Sequence, residues 1–339
     1  MLWYALTSIL LSRTCALMVL KAHAEGSEEM RPYFNFARVA AREVVPVLLE
    51  LLAQQDEDAS DEDYNISRAA YQCLQLYAQT VGGDLIQIVL GFVEQNLRHA
   101  DWHWRDAAVS AFGAIMEGPD EKMLDPLIKQ ALPVLIGMMD DSAVQVKDSA
   151  AYALGRICEN VSEAIDSQVH LPPLIGALFA GLSNSPKMAS SCCWALMNLA
   201  DRFAGEPGCQ ENPLSTHFQD SVTHLLGVTE RYDHRSSVDN YTTAKADKVC
   251  SSEADNQLRM AAYEVLNAFV TNSANDSLHI VAKLSDIILH RLENIIPMQQ
   301  QIVSVEDRIT LEEIQTSLTS VLLVSRPTLL MDVGFDSRI

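Results

Sequence analysis

An all-α fold, a right-handed α-solenoid of about six stacked helix pairs, is what this 339-residue sequence predicts. Three observations carry the prediction. Five eleven-residue segments align without gaps: Ser67–Tyr77, Arg105–Ile115, Lys147–Ile157, Ala189–Leu199 and Arg259–Phe269, with starts 38, 42, 42 and 70 residues apart. A second amphipathic stretch runs ahead of the aligned segments, as in Val44–Leu52, Leu132–Met139 and Leu171–Phe179. No alternation of apolar and polar residues competes with this helical period.

The aligned columns read as the faces of one helix. Small residues hold the third and fourth columns (Ala69/Ala70, Ala107/Ala108, Ser149/Ala150, Ser191/Cys192, Ala261/Ala262), and larger ones hold the eighth (Leu74, Phe112, Leu154, Leu196, Leu266). The fourth and eighth columns are i and i+4, so they share a side. Small residues there let helices approach, and the large residue fills the layer between them. A period near 40 with two helices per unit is that of HEAT or armadillo repeats.

Taken in order, the pairs are expected at 35–53 with 65–80, 84–98 with 101–117, 122–139 with 142–160, 168–182 with 185–204, 214–231 with 254–272, and 277–297 with 305–324. Gly82-Gly83, Gly118-Pro119 and Gly205-Glu206-Pro207-Gly208 punctuate between pairs. Pro46, Pro133 and Pro173 are expected inside first helices at a common phase, where each removes one hydrogen bond and bends its helix. Asp106 and Asp148, in the second column beside Arg105 and Lys147, are expected to form an Asp/Arg ladder between repeats. Trp102 and Trp104 flank a helix start and read as packing residues. His217 and His224 read as solvent-facing.

Charge sharpens the functional reading. Lys plus Arg is 24 and Asp plus Glu is 45, a net −21. This balance argues against binding nucleic acid, which rests on cations at phosphates, and against anionic membranes. It favours a basic partner. Six carboxylates fall between Asp56 and Asp63, in the long connector of the first pair: Asp56, Glu57, Asp58, Asp61, Glu62 and Asp63, with Tyr64 next. Self-repulsion makes this a mobile anionic clamp for a Lys/Arg-rich segment, or else a loop that aids solubility. It lacks the Gly and the distal Glu of an EF-hand. No HExxH, GxSxG, GxxxxGK[ST] or GxGxxG occurs, so neither catalysis nor a cofactor is expected. The sixth column holds Tyr152 and Trp194, two residues before the core Leu, which places both off the core side.

The stretches LLELLAQQ, DEDASDED, NLRHADWHWRDAAVSAFGAIMEGP, DSAAYALGRICE and SSCCWALMNLA are similar to the importin β (karyopherin) family, in its central HEAT repeats only. The resemblance implies a nuclear import receptor, or a fragment of one, in the cytoplasm, the nucleus and the nuclear pore. It implies binding of basic import signals, or of the basic importin-β-binding segment of importin α. By the resemblance Asp56, Glu57, Asp58, Asp61, Glu62 and Asp63 match the family's acidic loop, while Tyr64, Tyr152 and Trp194 stand where family tryptophans stack on the ligand. Ordinary helix packing is the competing reading for Trp194. The family also contacts the small GTPase Ran and nucleoporins, mostly through repeats upstream of those represented here. The alternative from a different class is a HEAT scaffold for protein–protein assembly outside transport.

The domain reading is an apolar leader at 1–24, a solenoid at 25–324 with an insertion at 232–252, and an atypical tail at 325–339. Ala22-His23-Ala24 has the form of a signal-peptidase site, so secretion is the alternative localisation, although Arg13 interrupts the apolar run and no transmembrane span is expected. Seven cysteines without a CxxC, mostly in apolar stretches, fit small core hydrophobes in a reducing compartment.

Overall fold

The computed structural model describes residues 36–55, 65–205, 209–233, 253–299 and 305–332. Among them are twelve α-helices and no strand. They fall into two compact units, 1–166 and 167–339, each holding three helix pairs. The leader at 1–24, the acidic loop 56–63 and most of the insertion (234–252) lie outside the described residues.

In the first unit the pairs are α1 (Phe36–Leu52) with α2 (Ile66–Val81), α3 (Ile86–Asn96) with α4 (Trp102–Ala114), and α5 (Glu121–Met138) with α6 (Val144–Asn160). The second helices stack, α2 on α4 and α4 on α6. The sequence explains this close stacking. Ala70, Ala108 and Ala150 in the fourth column are buried, as are Leu74, Phe112 and Leu154 in the eighth. The middle helix is buried almost all round from Asp106 to Ala114, which is why it is built from Ala, Gly and Ser rather than from large side chains.

Helix ends follow their local chemistry. Asn65 caps α2, its Oδ1 accepting from the Ser67 N–H at 2.9 Å, and Asp101 and Asp120 do the same for α4 and α5. Gly82 closes α2 with φ +69°, its N–H donating to the Ala78 carbonyl. Gly118 has φ +114°, and a Cβ there would lie 2.2 Å from the Ala78 oxygen. Only glycine permits the α4–α5 connection to pass so close to the end of α2.

In the second unit the pairs are α7 (Leu171–Gly181) with α8 (Pro186–Arg202), α9 (Phe218–Asp233) with α10 (Glu253–Thr271), and α11 (Leu278–Gln299) with α12 (Val305–Asp332). Again the second helices stack, α8 on α10 and α10 on α12. Cys192 and Ala262 in the fourth column and Leu196 and Leu266 in the eighth are buried. Two connectors run side by side: Asn275 N–H donates to Cys209 O at 2.9 Å, Asp276 N–H to Gln210 O at 3.0 Å, and the Asn212 amide to Asn272 O at 2.9 Å.

Three expectations are corrected, and of the two histidines expected to face solvent only His224 does so fully. Pro46 and Pro133 lie inside helices, but Pro173 sits in the first turn of α7, where a backbone N–H has no intrahelical acceptor to lose. The proline phase is therefore not shared. Helix α12 continues through Asp332, beyond the expected boundary at Val324. Arg105 does link repeats, but through Asp141 in the next pair's turn rather than through a second-column Asp. Arg105 grips Asp141 with two bonds (Nη2–Oδ1 2.7 Å, Nε–Oδ2 2.9 Å), while the buried Asp106 accepts from the side-chain amide of Gln55. His217 is half-buried in a 3₁₀ turn, and its carbonyl accepts from Ser221; His224 is exposed and stacks on Phe179 with ring centroids 4.5 Å apart.

Candidate ligand-binding face

The sixth column of the repeat faces away from the core. Two residues along a helix rotate by about 200°, so a side chain midway between two buried i, i+4 positions points outward. The structure follows this rule in both units. Gln72, Tyr152 and Glu264 are exposed, and Ser110 and Trp194 are half-buried.

In the first unit the column gathers chemistry around Tyr152 on α6. Tyr152 is 39% exposed, a large value for an aromatic ring in a packed helix layer. Its other side meets Tyr71 of α2 edge to face, with centroids 6.0 Å apart and planes at 70°. One turn further along α6, Arg156 lies beneath the same face. Its Nη2 donates to Glu117 Oε2 at 2.9 Å and its Nη1 to Glu159 Oε2 at 3.0 Å. The Arg156 side chain is 8% exposed, against 43% and 40% for the two glutamates, so the carboxylates face solvent and the cation does not. Ser110 donates to Ser149 at 3.3 Å, tying α4 to α6 nearby.

The electrostatics match this layout. Burial pushes the Tyr71 hydroxyl above the ordinary phenol range, with Tyr152 adding to it. The Arg156 hydrogen bond holds the Glu117 carboxyl below its usual value. Burial opposes charge on Arg156, yet the bond to Glu117 and the charge of Glu159 outweigh it, and its pKa is raised. The face thus carries two carboxylates held by one guanidinium on the same helix layer as a partly open aromatic ring.

Of the residues expected to bind, Tyr152 is on this face, and Trp194 occupies the same column of α8 in the second unit. Asp56, Glu57, Asp58, Asp61, Glu62, Asp63 and Tyr64 lie outside the described residues. The flanks of that loop are described and both are anchored. Gln55 reaches Asp106 on α4, and Asn65 caps α2.

Sequence reading missed Glu117, Glu159 and Arg156. The i, i+3 spacing of Arg156 and Glu159 was a usable signal, but the arrival of Glu117 from the connector after α4 required the stacking itself. It also missed a groove of about 510 Å³ between α10 and α12, lined by Glu264, Glu312, Glu313, Met260 and Ile309 among others. Among the described residues no group of three or more His, Cys, Asp and Glu could hold a metal ion. Three buried thiols are poor nucleophiles: burial raises Cys73 to about 11 and Cys158 and Cys193 to about 12.

Comparison with known proteins follows this geometry. The family model described as importin subunit beta-1-like, TPR repeats, matches residues 173–246 and 242–329, and a HEAT-like repeat model matches 102–157. Importin subunit beta-1 of Schizosaccharomyces pombe is 44% identical over 292 residues, covering 86% of this chain and 32% of that protein. A crystal structure of importin beta in an ammonium sulfate condition superposes with a TM-score of 0.84 at 57% identity, covering 95% of this chain and 36% of the other. Two structures of Kap95p, one with RanGDP and one with Nup1, each superpose with a TM-score of 0.79, at 29% and 30% identity, over 97% and 96% of this chain and 37% and 36% of theirs. The chain spans about a third of the length of the curated relatives it matches.

Proposed function

From the premise that this chain is a homologue of importin subunit beta-1, we propose that it works as part of a nuclear import receptor and binds basic segments. The observation that carries the reading is Tyr152, an aromatic ring left open to solvent on the helix whose Arg156 holds the partly exposed carboxylates Glu117 and Glu159. Lys and Arg stems stack on such a ring while their charges meet the carboxylates, each stacking contact contributing about 0.5–2 kcal/mol. The acidic run Asp56–Asp63 follows directly on Gln55 and supplies six carboxylates. Its composition supports a role in binding the same basic ligand. The ligand of this reading is the basic importin-β-binding segment of importin α, or a basic import signal. Trp194, in the same column of the second unit, is the aromatic contact this reading assigns to a basic ligand there.

The solved complexes of Kap95p with RanGDP and with Nup1 support Ran and a nucleoporin as further partners. With such partners the working location is the cytoplasm, the nucleus and the pore between them. On this reading the chain is a transport receptor segment and not an enzyme.

The test is fluorescence anisotropy with a labelled peptide of the importin-α basic segment, titrated at low and high salt. Binding should weaken steeply with salt, because exposed charges are screened within about 10 Å at ordinary ionic strength. Reversing Asp61, Glu62 and Asp63 to Lys should weaken it by about tenfold or more. Affinity indifferent to both salt and reversal would sink the proposal.

A further inference from the structure

Arg156 is an odd residue to find on a face that receives cations. Its side chain is nearly buried, and its Nε–H is enclosed without an acceptor among the described residues. A buried guanidinium with one unmet donor is a poor choice for stability alone, since an apolar side chain of similar volume often serves as well or better. The two terminal nitrogens show what the arginine does. They hold Glu117, from the connector after α4, and Glu159, one turn beyond Arg156 on the helix that carries Tyr152. Asn160 donates to the same Glu159 oxygen at 3.0 Å, and Gln79 of α2 hydrogen-bonds Glu117. Side chains from α2, from the α4–α5 connector and from α6 thus join in one network around the guanidinium.

We infer that Arg156 is a positioning residue for the basic ligand: it never touches the ligand, but it fixes the two carboxylates and the Tyr152 ring in the arrangement that the ligand cation meets. This deepens the reading of the face as a binding site for basic segments and rests on it. Free glutamates at these positions would each sample several rotamers, and ligand binding would have to order them. The clamp orders them beforehand. It leaves 43% of Glu117 and 40% of Glu159 open to solvent, so both carboxylates stay accessible from outside.

The sign of the effect separates this from the alternatives. Counting charges alone, replacing a cation on an acidic face by a neutral residue should tighten a basic ligand. If Arg156 positions, Arg156→Met should instead weaken it, by about fivefold in the anisotropy titration of the same labelled peptide. Arg156→Lys keeps the charge but has no planar fork to hold both carboxylates, so it should fall between, about twofold weaker than wild type. Circular dichroism of both variants establishes that they are folded; should the Met variant misfold, the Lys variant decides. Equal or tighter binding by a folded Met variant, or wild-type binding by the Lys variant, overturns the positioning role and leaves the basic-ligand reading standing. Absence of peptide binding by the wild-type chain overturns both.

Discussion

Replacing Tyr152 by Ala tests the binding face where its geometry is best defined. A tyrosine offers roughly 150–250 Å² of surface, and 39% of Tyr152 is open, so a ligand can cover about 80 Å² of it. At about 25 cal/mol per Å² this is an upper bound near 2 kcal/mol. A cation on a partly exposed ring contributes about 0.5–1 kcal/mol of the same total, counted from the other direction. Tyr152→Ala should therefore weaken a basic peptide by about 1–2 kcal/mol, or about five- to thirtyfold. Tyr152→Phe keeps the ring and should stay within about threefold, while Tyr152→Trp, with the larger face, should bind as well as wild type or better. Anisotropy titration measures all three. The Ala variant also loses the edge contact with Tyr71, worth about 0.5–1.5 kcal/mol, so thermal unfolding should accompany the titration. An Ala variant that is folded and binds within about twofold of wild type would refute the reasoning, because a loss smaller than about 0.4 kcal/mol leaves no role for the open ring.

Three further outcomes follow from the packing. Arg105→Ala removes two charge-assisted bonds to Asp141 and should destabilise the α4–α6 region by about 3 kcal/mol, read as faster hydrogen exchange there. Arg105 holds the Asp141 carboxyl below its ordinary value of 3.8; a depressed folded pKa gives stability that is present above that value and lost as pH falls through the folded one, so the gap between variant and wild type should close only under acid conditions. Gly118→Ala should destabilise by about 2 kcal/mol or more in urea unfolding, since φ is +114° and the added Cβ would press on the Ala78 carbonyl. With a thiol reagent followed by mass spectrometry, half-exposed Cys209 should label well before Cys73, Cys158, Cys192 and Cys193, which are buried.

The solenoid was legible because its constraint is local and recurs. Ala70, Ala108, Ala150, Cys192 and Ala262 are small for one reason, the approach of neighbouring helices, and any one of them alone would have said nothing. The sixth column could be read by subtraction, since whatever is neither small-and-buried nor large-and-buried must face out. The ladder was misread because column position fixes which way a side chain points, not how far it reaches. Arg105 spans to Asp141 in the turn of the next pair, and its sequence neighbour Asp106 turns inward to Gln55. The proline phase failed for a similar reason. Pro173 has the right spacing from Pro133, but α7 begins only two residues before it, and a proline in the first turn bends nothing.

The proposed Glu117–Arg156–Glu159 site shows why a repeat conceals residues outside its core columns. The period fixes the core columns so strongly that the alignment is dominated by them, and functional variation is left to positions where repeats are free to differ. At the sixth column the five aligned helices carry Gln72, Ser110, Tyr152, Trp194 and Glu264: an amide, a hydroxyl, two aromatics and a carboxylate. No period can be recognised in such a set. A homogeneous column would make a uniform face, suited to a uniform ligand. Within the first unit, where α2, α4 and α6 stack, Gln72, Ser110 and Tyr152 make a face that can read side chains in register, one helix layer at a time, with about 10 Å between layers. An extended segment rises about 3.3 Å per residue, so successive anchors on one layer and the next should be met by ligand residues about three apart. A peptide with Lys or Arg at every third position should therefore bind more tightly than a scrambled peptide of the same composition and charge. Equal affinity for the two would mean that the face reads charge alone.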